Sequence, residues 1–257
     1  MNPYSFITTE TKEDILYIGL LRPDKRNALN TDLILQIGQA ISGADKNTGC
    51  IVLFGHGKHF SAGLDLSELE ERDVVEGLQH SLTWHPVFHQ IQYGKIPVIA
   101  ALHGACIGGG LELASAAHIR IADASTFYAL PEGSRGIFVG GGGSVRLPKL
   151  IGTATMMDMM LTGRVFKADE GYQKGFAQYL VEEGQAMIKA HELALKIKMN
   201  TPMTNYAVTH VLPRVVETHQ DGGLIMEALV AAISQSAPEA KARLRDFLEG
   251  RAKKVGE

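Results

Sequence analysis

Cysteine is scarce in this sequence. The chain has 257 residues but only two cysteines, Cys50 and Cys106, and both lie in apolar segments. A chain of this length can bury a large core without covalent cross-links. Cysteines in apolar surroundings are typically buried thiols. We therefore expect two unpaired thiols and a reducing, intracellular location.

Excess charge and long apolar runs are also lacking. Lys and Arg total 25 against 28 Asp and Glu, so the formal net charge at pH 7 is −3. This balance gives no electrostatic reason to expect nucleic acid or an acidic membrane surface as a partner. The first residues lack the basic start and apolar run of a secretory signal. The longest apolar stretch, residues 96–117, is interrupted by glycines and Glu112, so we expect a cytoplasmic protein without a transmembrane helix.

Several motifs that would assign an activity are missing. Neither glycine cluster completes G-x-G-x-x-G, and G-x-x-x-x-G-K-[ST] is absent, which disfavours dinucleotide and nucleoside-triphosphate sites. Gly-x-Ser-x-Gly is absent as well, which weighs against a serine-hydrolase nucleophile elbow. His56/His59 and His85/His89 lack an obvious third metal ligand. We interpret His85 and His89 as surface or packing residues.

The apolar pattern alternates between strands and helices up to about residue 130, and helices dominate afterwards. It predicts strands at 5–9, 15–20, 50–54, 97–102, 119–122 and 126–129. It predicts helices at 32–44, 74–93, 110–117, 153–161, 167–173, 184–199, 203–217, 221–234 and 237–252, with a short helix after residue 143. Alternating units followed by helices indicate an α/β core with a helical C-terminal part.

Residues 96–112 combine a buried strand, a turn with three glycines at 108–110, and the start of a helix. Such a turn directs backbone N–H groups and the positive end of a helix dipole at one point. Glu112 follows in the first helical turn. It is either a simple dipole partner or a partly buried acid with a shifted pKa. An anion-stabilising corner beside a carboxylate suits a reaction that builds negative charge on an oxygen.

A second acid, Glu132, follows Pro131 and could simply open a short helix. Two converging glutamates could instead hold one water, with one accepting a proton while the other donates. The sequence alone does not show that they converge. The second glycine cluster, 140–143, is interpreted as a tight turn with close packing. Arg251, Lys253 and Lys254 form a solvated helix end, with contact to a ligand phosphate as the alternative.

Several ordered motifs resemble those of one family. They are RPDKRNAL at 22–29, HFSAGLDL at 59–66, ALHGACIGGGLEL at 101–113, LPE at 130–132, GGSVRLPKLIG at 142–152, LTGR at 161–164 and FLEGR at 247–251. Together they resemble the crotonase superfamily, also called the enoyl-CoA hydratase/isomerase family, over nearly the whole chain.

The resemblance implies a fold and an assembly. It implies an α/β spiral of ββα units over residues 1–195, which carries the coenzyme A site and the active site. It also implies a helical trimerisation region over residues 196–257. A homotrimer or a homohexamer, built as a dimer of trimers, is the expected assembly.

The resemblance also implies roles for particular residues. The two family glutamates fall on Glu112 and Glu132. The backbone N–H groups at positions matching Ala62 and Gly109 would form an oxyanion hole for a thioester carbonyl. The loop that would hold the adenine end of coenzyme A consists of Ala62, Gly63, Leu64 and Asp65.

The expected activity is that of an enoyl-CoA hydratase, a carbon–oxygen lyase that needs neither a metal nor a redox cofactor. Coenzyme A is part of the acyl-CoA substrate. The alternatives are another crotonase-type reaction, namely double-bond isomerisation, retro-aldol cleavage or carbon–carbon hydrolysis, and a non-catalytic acyl-CoA-binding subunit. Gly140 stands where a dienoyl-CoA isomerase-like sequence would carry aspartate, which disfavours that isomerase. Trp84, Phe88 and Phe138 are candidates for the acyl pocket wall, with core packing the other role for the first two.

Overall fold

The computed structural model describes residues 3–68 and 73–251. Within these residues the main sheet has six strands, in the spatial order β1-β2-β3-β4-β6-β9, and a small sheet has three, in the order β5-β7-β8. The strands are β1 (Ile7–Lys12), β2 (Ile15–Leu20), β3 (Cys50–Gly55), β4 (Val98–Leu102), β5 (Ala105–Ile107), β6 (Ile119–Asp123), β7 (Phe127–Ala129), β8 (Phe166–Lys167) and β9 (Tyr179–Val181).

The helices lie between and after these strands. They are α1 (Thr31–Ser42), α2 (Val74–Tyr93), α3 (Gly109–Ala116), α4 (Gly143–Ile151), α5 (Thr153–Thr162), α6 (Ala168–Lys174), α7 (Ala186–Lys198), α8 (Pro202–Tyr206), α9 (Leu212–Glu217), α10 (Gln220–Ser236) and α11 (Pro238–Leu248). Within the described residues, no helix is both long and apolar enough to cross a membrane.

The local sequence explains where the first long helices begin. Asn30 caps α1, because its side chain accepts a hydrogen bond from the Leu33 N–H. Asp73 caps α2 in a capping box, in which Glu76 reaches back to the Asp73 N–H. These caps satisfy backbone donors that a helix start leaves unpaired.

From β4 to β7, consecutive strands of the chain alternate between the main sheet and the small sheet. β4 pairs in parallel with β3 and β6 in the main sheet, while β5 pairs in parallel with β7 in the small sheet. The chain therefore passes from the main sheet to the small sheet and then into a helix, once at β4-β5-α3 and again from β6 and β7 onwards. This repeat is the spiral of ββα units that the resemblance implied.

Two isolated bridges bring an earlier loop into the same region. Ser61 pairs with Cys106 of β5, and Leu29 pairs with Leu64, both in parallel. The 61–65 loop is thereby held against the N-terminus of α3. This contact places the two segments that were expected to share a site next to each other.

The central strands β3 and β4 of the main sheet are buried on both faces. Ile51 and Leu53 of β3 pack into the core that includes α1 and α2. Cys50 and Val52 point to the other face, where they pack against Ala190 and neighbouring residues of α7. Strands covered on both faces read as continuous apolar runs, as β3 does. Cys50 and Cys106 are free and buried, as predicted.

Some elements differ from the predictions. The short strands β5, β8 and β9 were not predicted, because two or three residues carry too little periodicity. The single helix predicted over 203–217 is divided by a π-helical turn at Ala207–Val211. The predicted division at residue 195 falls within α7, and the assignment of two regions stays a prediction. Arg251 pairs with Asp246 and Glu249, whereas residues 253 and 254 lie outside the described residues.

Candidate active site

A cavity of about 250 Å³ lies at the N-terminus of α3. Segments that are far apart in sequence line it: the 62–64 loop, one face of α2, the 107–112 turn and the 131–141 loop. Both candidate glutamates are among the lining residues, and each is buried, with Glu112 4% and Glu132 8% exposed. The convergence that the sequence left open is therefore present.

Glu112 is held by backbone donors. Its Oε1 accepts hydrogen bonds from the N–H groups of Gly141 at 2.9 Å and Gly143 at 2.8 Å. Burial raises the pKa of this carboxyl, while these N–H groups and the nearby Arg146 guanidinium act in the opposite direction. Hydrogen bonds to the charged form favour ionisation. Burial is the larger influence, so the pKa of Glu112 is raised overall, and the N–H groups limit that rise without cancelling it.

The 140–143 glycine loop surrounds Glu112, so its prediction as a plain tight turn was incomplete. A Cβ on Gly143 would lie 2.8 Å from Glu112 Cγ, and a Cβ on Gly141 would lie 2.8 Å from Phe88 Cε2. Arg146 Nη1 donates to the Gly141 carbonyl at 2.9 Å, and Arg146 Nε donates to Gln92 at 2.7 Å. Glycine is needed here because the backbone itself contacts the carboxylate.

Glu132 has different surroundings. It precedes a short 3₁₀ turn, Gly133–Arg135, and a Cβ on Gly108 would lie 2.7 Å from its Oε1. Its Oε2 is buried without a hydrogen-bond partner among the described residues. Burial raises the pKa of Glu132 to about 7, and the neighbouring Glu112 adds to this rise. A pKa of about 7 lets Glu132 hold a proton near neutral pH.

The structure corrects the expected oxyanion donor at Ala62. The Ala62 N–H donates to the Arg26 carbonyl at 2.9 Å, so it is already used within the fold. Leu64 and Gly109 also line the cavity, and neither N–H has a hydrogen-bond partner within the described residues. The two residues lie side by side, because a Cβ added to Gly109 would be 3.5 Å from the Leu64 nitrogen. The adjacent free donors are therefore those of Leu64 and Gly109.

Local contacts explain why the donor shifts by two residues. Leu64 occupies the bridge beside Leu29, whose N–H bonds Gly63 O and whose carbonyl accepts from Asp65 N. Both neighbours of Leu64 thus pair with Leu29, while the Leu64 N–H faces away from that bridge. Gly63 has φ +89°, and a Cβ there would lie 2.7 Å from the Ile107 carbonyl. Only glycine permits this close approach of the two loops.

Asp65 stabilises the loop and does not line the cavity as described. Its Oδ2 pairs with Arg22 Nη2 at 2.5 Å and with Lys25 Nζ at 3.2 Å. Burial opposes ionisation, but hydrogen bonds from Ser67, Arg22 and Lys25 outweigh it and hold the pKa of Asp65 well below its usual range. The carboxylate therefore links the 22–25 turn to the loop that positions Leu64. Its expected contact with coenzyme A stays a prediction.

The aromatic candidates fall into two groups. Trp84 and Phe138 line the cavity, with Trp84 3% and Phe138 68% exposed. Phe88 lies behind Gly141 in the core and does not line the cavity. In residues 3–68 and 73–251, no group of three or more His, Cys, Asp or Glu side chains could hold a metal ion.

A family model described as enoyl-CoA hydratase/isomerase matches residues 10–256 of this chain. The chain belongs to the enoyl-CoA hydratase/isomerase family. It is 30% identical over 248 residues to a short-chain-enoyl-CoA hydratase of Clostridium acetobutylicum, and the match covers 95% of each chain. The predicted family and the predicted crotonase-type enzyme are thereby confirmed.

Solved structures of this family share the fold. A protein of Rhodopseudomonas palustris CGA009, assigned as an enoyl-CoA hydratase, is 56% identical, with a TM-score of 0.94 over 98% of this chain and 97% of the other. An enoyl-CoA hydratase of Thermoplasma volcanium GSS1 is 31% identical, with a TM-score of 0.88 over 94% and 97% of the two chains. The predicted fold class is confirmed.

Sequence reasoning missed one oxyanion donor of this site and two side chains that hold its glycine loop from outside the cavity. Leu64 was placed in the coenzyme A loop and not among the oxyanion donors. Arg146 was quoted only within the GGSVRLPKLIG motif, because its burial appears only in the folded structure. His85 was interpreted as a surface or packing residue, yet its Nε2 lies 2.8 Å from the Gly140 carbonyl oxygen.

Proposed function

We propose that this protein is an enoyl-CoA hydratase that adds water across the double bond of a 2-enoyl-CoA. One observation carries the proposal. The same small cavity is lined by two buried carboxyl groups and by two backbone N–H groups that have no hydrogen-bond partner in the part of the chain that the structure describes. Hydration of an enoyl thioester needs both elements, because it moves protons and builds negative charge on the thioester oxygen.

The oxyanion donors would act on the thioester oxygen. Attack of water at the β-carbon pushes the electrons of the double bond toward the carbonyl and forms an enolate. The N–H groups of Leu64 and Gly109 can donate to that oxygen without disturbing the fold. Gly109 is also the first residue of α3, so the helix dipole adds positive potential at the same place. A donor of this kind is typically worth about 3 kcal/mol in the transition state.

The surroundings of the two glutamates assign their roles. Glu112 receives backbone hydrogen bonds that favour its carboxylate, so it accepts a proton from the attacking water as the carbon–oxygen bond forms. Glu132, whose pKa is about 7, donates its proton to the α-carbon of the enolate. The product is a 3-hydroxyacyl-CoA, and exchange with solvent restores both carboxyl groups.

The cavity favours a short acyl group. Its volume of about 250 Å³ lies below the roughly 300–1,000 Å³ typical of sites for drug-sized ligands. Trp84 is buried at the Gly109 side, where its Cζ3 would lie 3.5 Å from a Cβ on Gly109. The Trp84 ring therefore limits the depth of the space beside the oxyanion donors.

The direct test uses both glutamates. Purified protein should hydrate a short 2-enoyl-CoA, with loss of the enoyl thioester absorbance and a product one water heavier by mass spectrometry. Glu112→Gln and Glu132→Gln should each lower kcat by about 10²- to 10⁴-fold. Full activity in both variants would refute the mechanism. A product of unchanged mass would indicate isomerisation, and smaller products would indicate cleavage.

We further propose that the enzyme needs no metal and no redox cofactor, because its own carboxyl and N–H groups supply proton transfer and charge stabilisation. Activity that survives exhaustive chelation supports this proposal, and loss that zinc or magnesium restores contradicts it. The free buried thiols Cys50 and Cys106 support the expected cytoplasmic location.

A homotrimer or homohexamer is proposed for the assembly. The last helices expose many apolar side chains, which monomers rarely leave uncovered. The exposed set on α10 and α11 comprises Leu224, Ile225, Leu229, Ile233, Leu244, Phe247 and Leu248. Light scattering should give three or six times the chain mass, and a monomer at micromolar concentration would contradict the proposal.

A further inference from the structure

One peptide unit connects α2 to the candidate base. The peptide between Gly140 and Gly141 has its carbonyl oxygen 2.8 Å from His85 Nε2 and its N–H group 2.9 Å from Glu112 Oε1. The carbonyl and N–H of a trans peptide point in opposite directions within one plane. His85 and Glu112 therefore bind opposite ends of the same rigid group.

The chemistry of this contact settles which atom donates. A carbonyl oxygen can only accept, so the proton must lie on His85 Nε2. A donor at the carbonyl polarises the peptide and strengthens its N–H as a donor, since linked hydrogen bonds reinforce one another. The imidazole thus fixes the plane of the peptide and favours the ionised form of Glu112.

The glycine loop has few other anchors. Its four residues have no side chains, and their φ/ψ freedom is the largest of any residue type. The next carbonyl, that of Gly141, accepts from Arg146 Nη1 at 2.9 Å. His85 and Arg146 thereby hold two successive carbonyls, and the N–H groups of Gly141 and Gly143 are left directed at Glu112.

We propose that His85 is a positioning residue for Glu112, acting through the Gly140–Gly141 peptide. The inference rests on the proposed function, in which Glu112 accepts a proton from water. His85 is exposed on the outer side of the loop, and it is not among the residues that line the cavity. It therefore influences the reaction without touching the substrate.

The test compares three substitutions at residue 85. His85→Ala removes the donor, His85→Phe keeps a ring without a donor, and His85→Gln retains an N–H near the position of Nε2. Because the position is exposed, all three should fold. We expect Ala and Phe to lower kcat for a short 2-enoyl-CoA by about 5- to 10-fold with an unchanged KM, and Gln to restore most of the loss.

A second readout separates positioning from general structural support. Loss of the hydrogen bond from His85 to the Gly140 carbonyl weakens the hydrogen bonds to Glu112. The acidic limb of the pH–kcat profile should therefore move to higher pH in the His85→Ala and His85→Phe variants. Glu132 and Arg146, the other ionisable groups beside Glu112, remain unchanged in these variants. His89→Ala is the matched control. His89 lies one turn further along α2, and its ring packs against Tyr93 with the two ring centroids 4.9 Å apart.

Each outcome decides. The role is supported if His85→Ala and His85→Phe show a reduced kcat and a shifted acidic limb while His85→Gln restores most of the activity. His89→Ala should behave like the wild type. Wild-type kcat in His85→Ala overturns it, as does failure of Gln to differ from Ala. A rise in KM alone also overturns it. If the unsubstituted enzyme hydrates no enoyl-CoA, the proposed function fails instead, and the two failures are therefore distinguishable.

Discussion

The backbone N–H of Ala62 donates to the carbonyl oxygen of Arg26 at 2.9 Å, and this bond removes Ala62 from the set of free oxyanion donors. Among the described residues, the nearest N–H of this loop without a partner belongs to Leu64, which lies beside the first residue of α3 at the edge of the cavity. Backbone N–H groups inside a fold are expected to be paired, so two that have no partner among the described residues, beside a single cavity, indicate a place for an external acceptor.

A proline at position 109 removes the Gly109 N–H at a point where the helix does not use it. Gly109 is the first residue of α3, a position at which proline is tolerated because its N–H has no partner within the helix. Gly109→Pro should lower kcat by about 10²- to 10³-fold with the fold retained. Gly109→Ala keeps the N–H and is the steric control. Equal losses in the two variants, measured by steady-state kinetics and circular dichroism, would count against the donor role.

Activity should depend on the protonation of Glu132. Its pKa is about 7, and as the general acid it must carry a proton. We therefore expect kcat to fall as the pH rises through about 7. The falling limb should disappear in Glu132→Gln, whose residual activity does not titrate there. A limb that persists in this variant would assign the titration to another group.

Glu132 should also lower the free energy of unfolding at high pH, where its buried carboxyl loses its proton. Burial raises its pKa in the folded protein to about 7 from an ordinary 4.5, so the folded state holds the proton more tightly than the unfolded state. Its stabilising contribution is present below the ordinary value and is lost as the pH rises through about 7. Glu132→Gln should raise the free energy of unfolding by ~2 kcal/mol at about pH 8 and change it little at low pH. Urea titrations would reveal the opposite trend if Glu132 were stabilised as a carboxylate.

Gly108 provides a test of the contact between the α3 turn and Glu132. It has φ 51° and ψ −125°, and an added Cβ would lie 2.7 Å from Glu132 Oε1. Gly108→Ala should displace this carboxyl and lower kcat by about 100-fold. Gly152 is a suitable control, because it has φ 79° and ψ 147° but open space around a Cβ. Gly152→Ala should lose roughly 1–3 kcal/mol of stability from backbone strain and keep its kcat. Equal kcat values would contradict the contact.

Much of the fold was predictable because it is encoded locally. The apolar run at 50–54 predicted β3, and α1 was predicted from its apolar spacing to begin at residue 32, one residue beyond the observed start at Thr31. α2 was predicted at its observed bounds, Val74–Tyr93, although Pro86 lies within it. The interruption of the helix predicted over 203–217 was not predictable, because a π-helical turn at Ala207–Val211 leaves no distinct residue pattern.

The sequence by itself determined the two glutamates, the glycine turn before α3 and the family, because these are choices of residue type at a given spacing. Only the tertiary structure decided which backbone N–H groups remain free, because that depends on partners distant in the chain, such as Arg26 for Ala62. It also decided the difference between the carboxyl groups. Glu112 receives the N–H groups of Gly141 and Gly143, whereas Glu132 keeps a buried oxygen without a partner among the described residues. Burial and hydrogen bonding set a pKa, and neither is defined until the chain has folded.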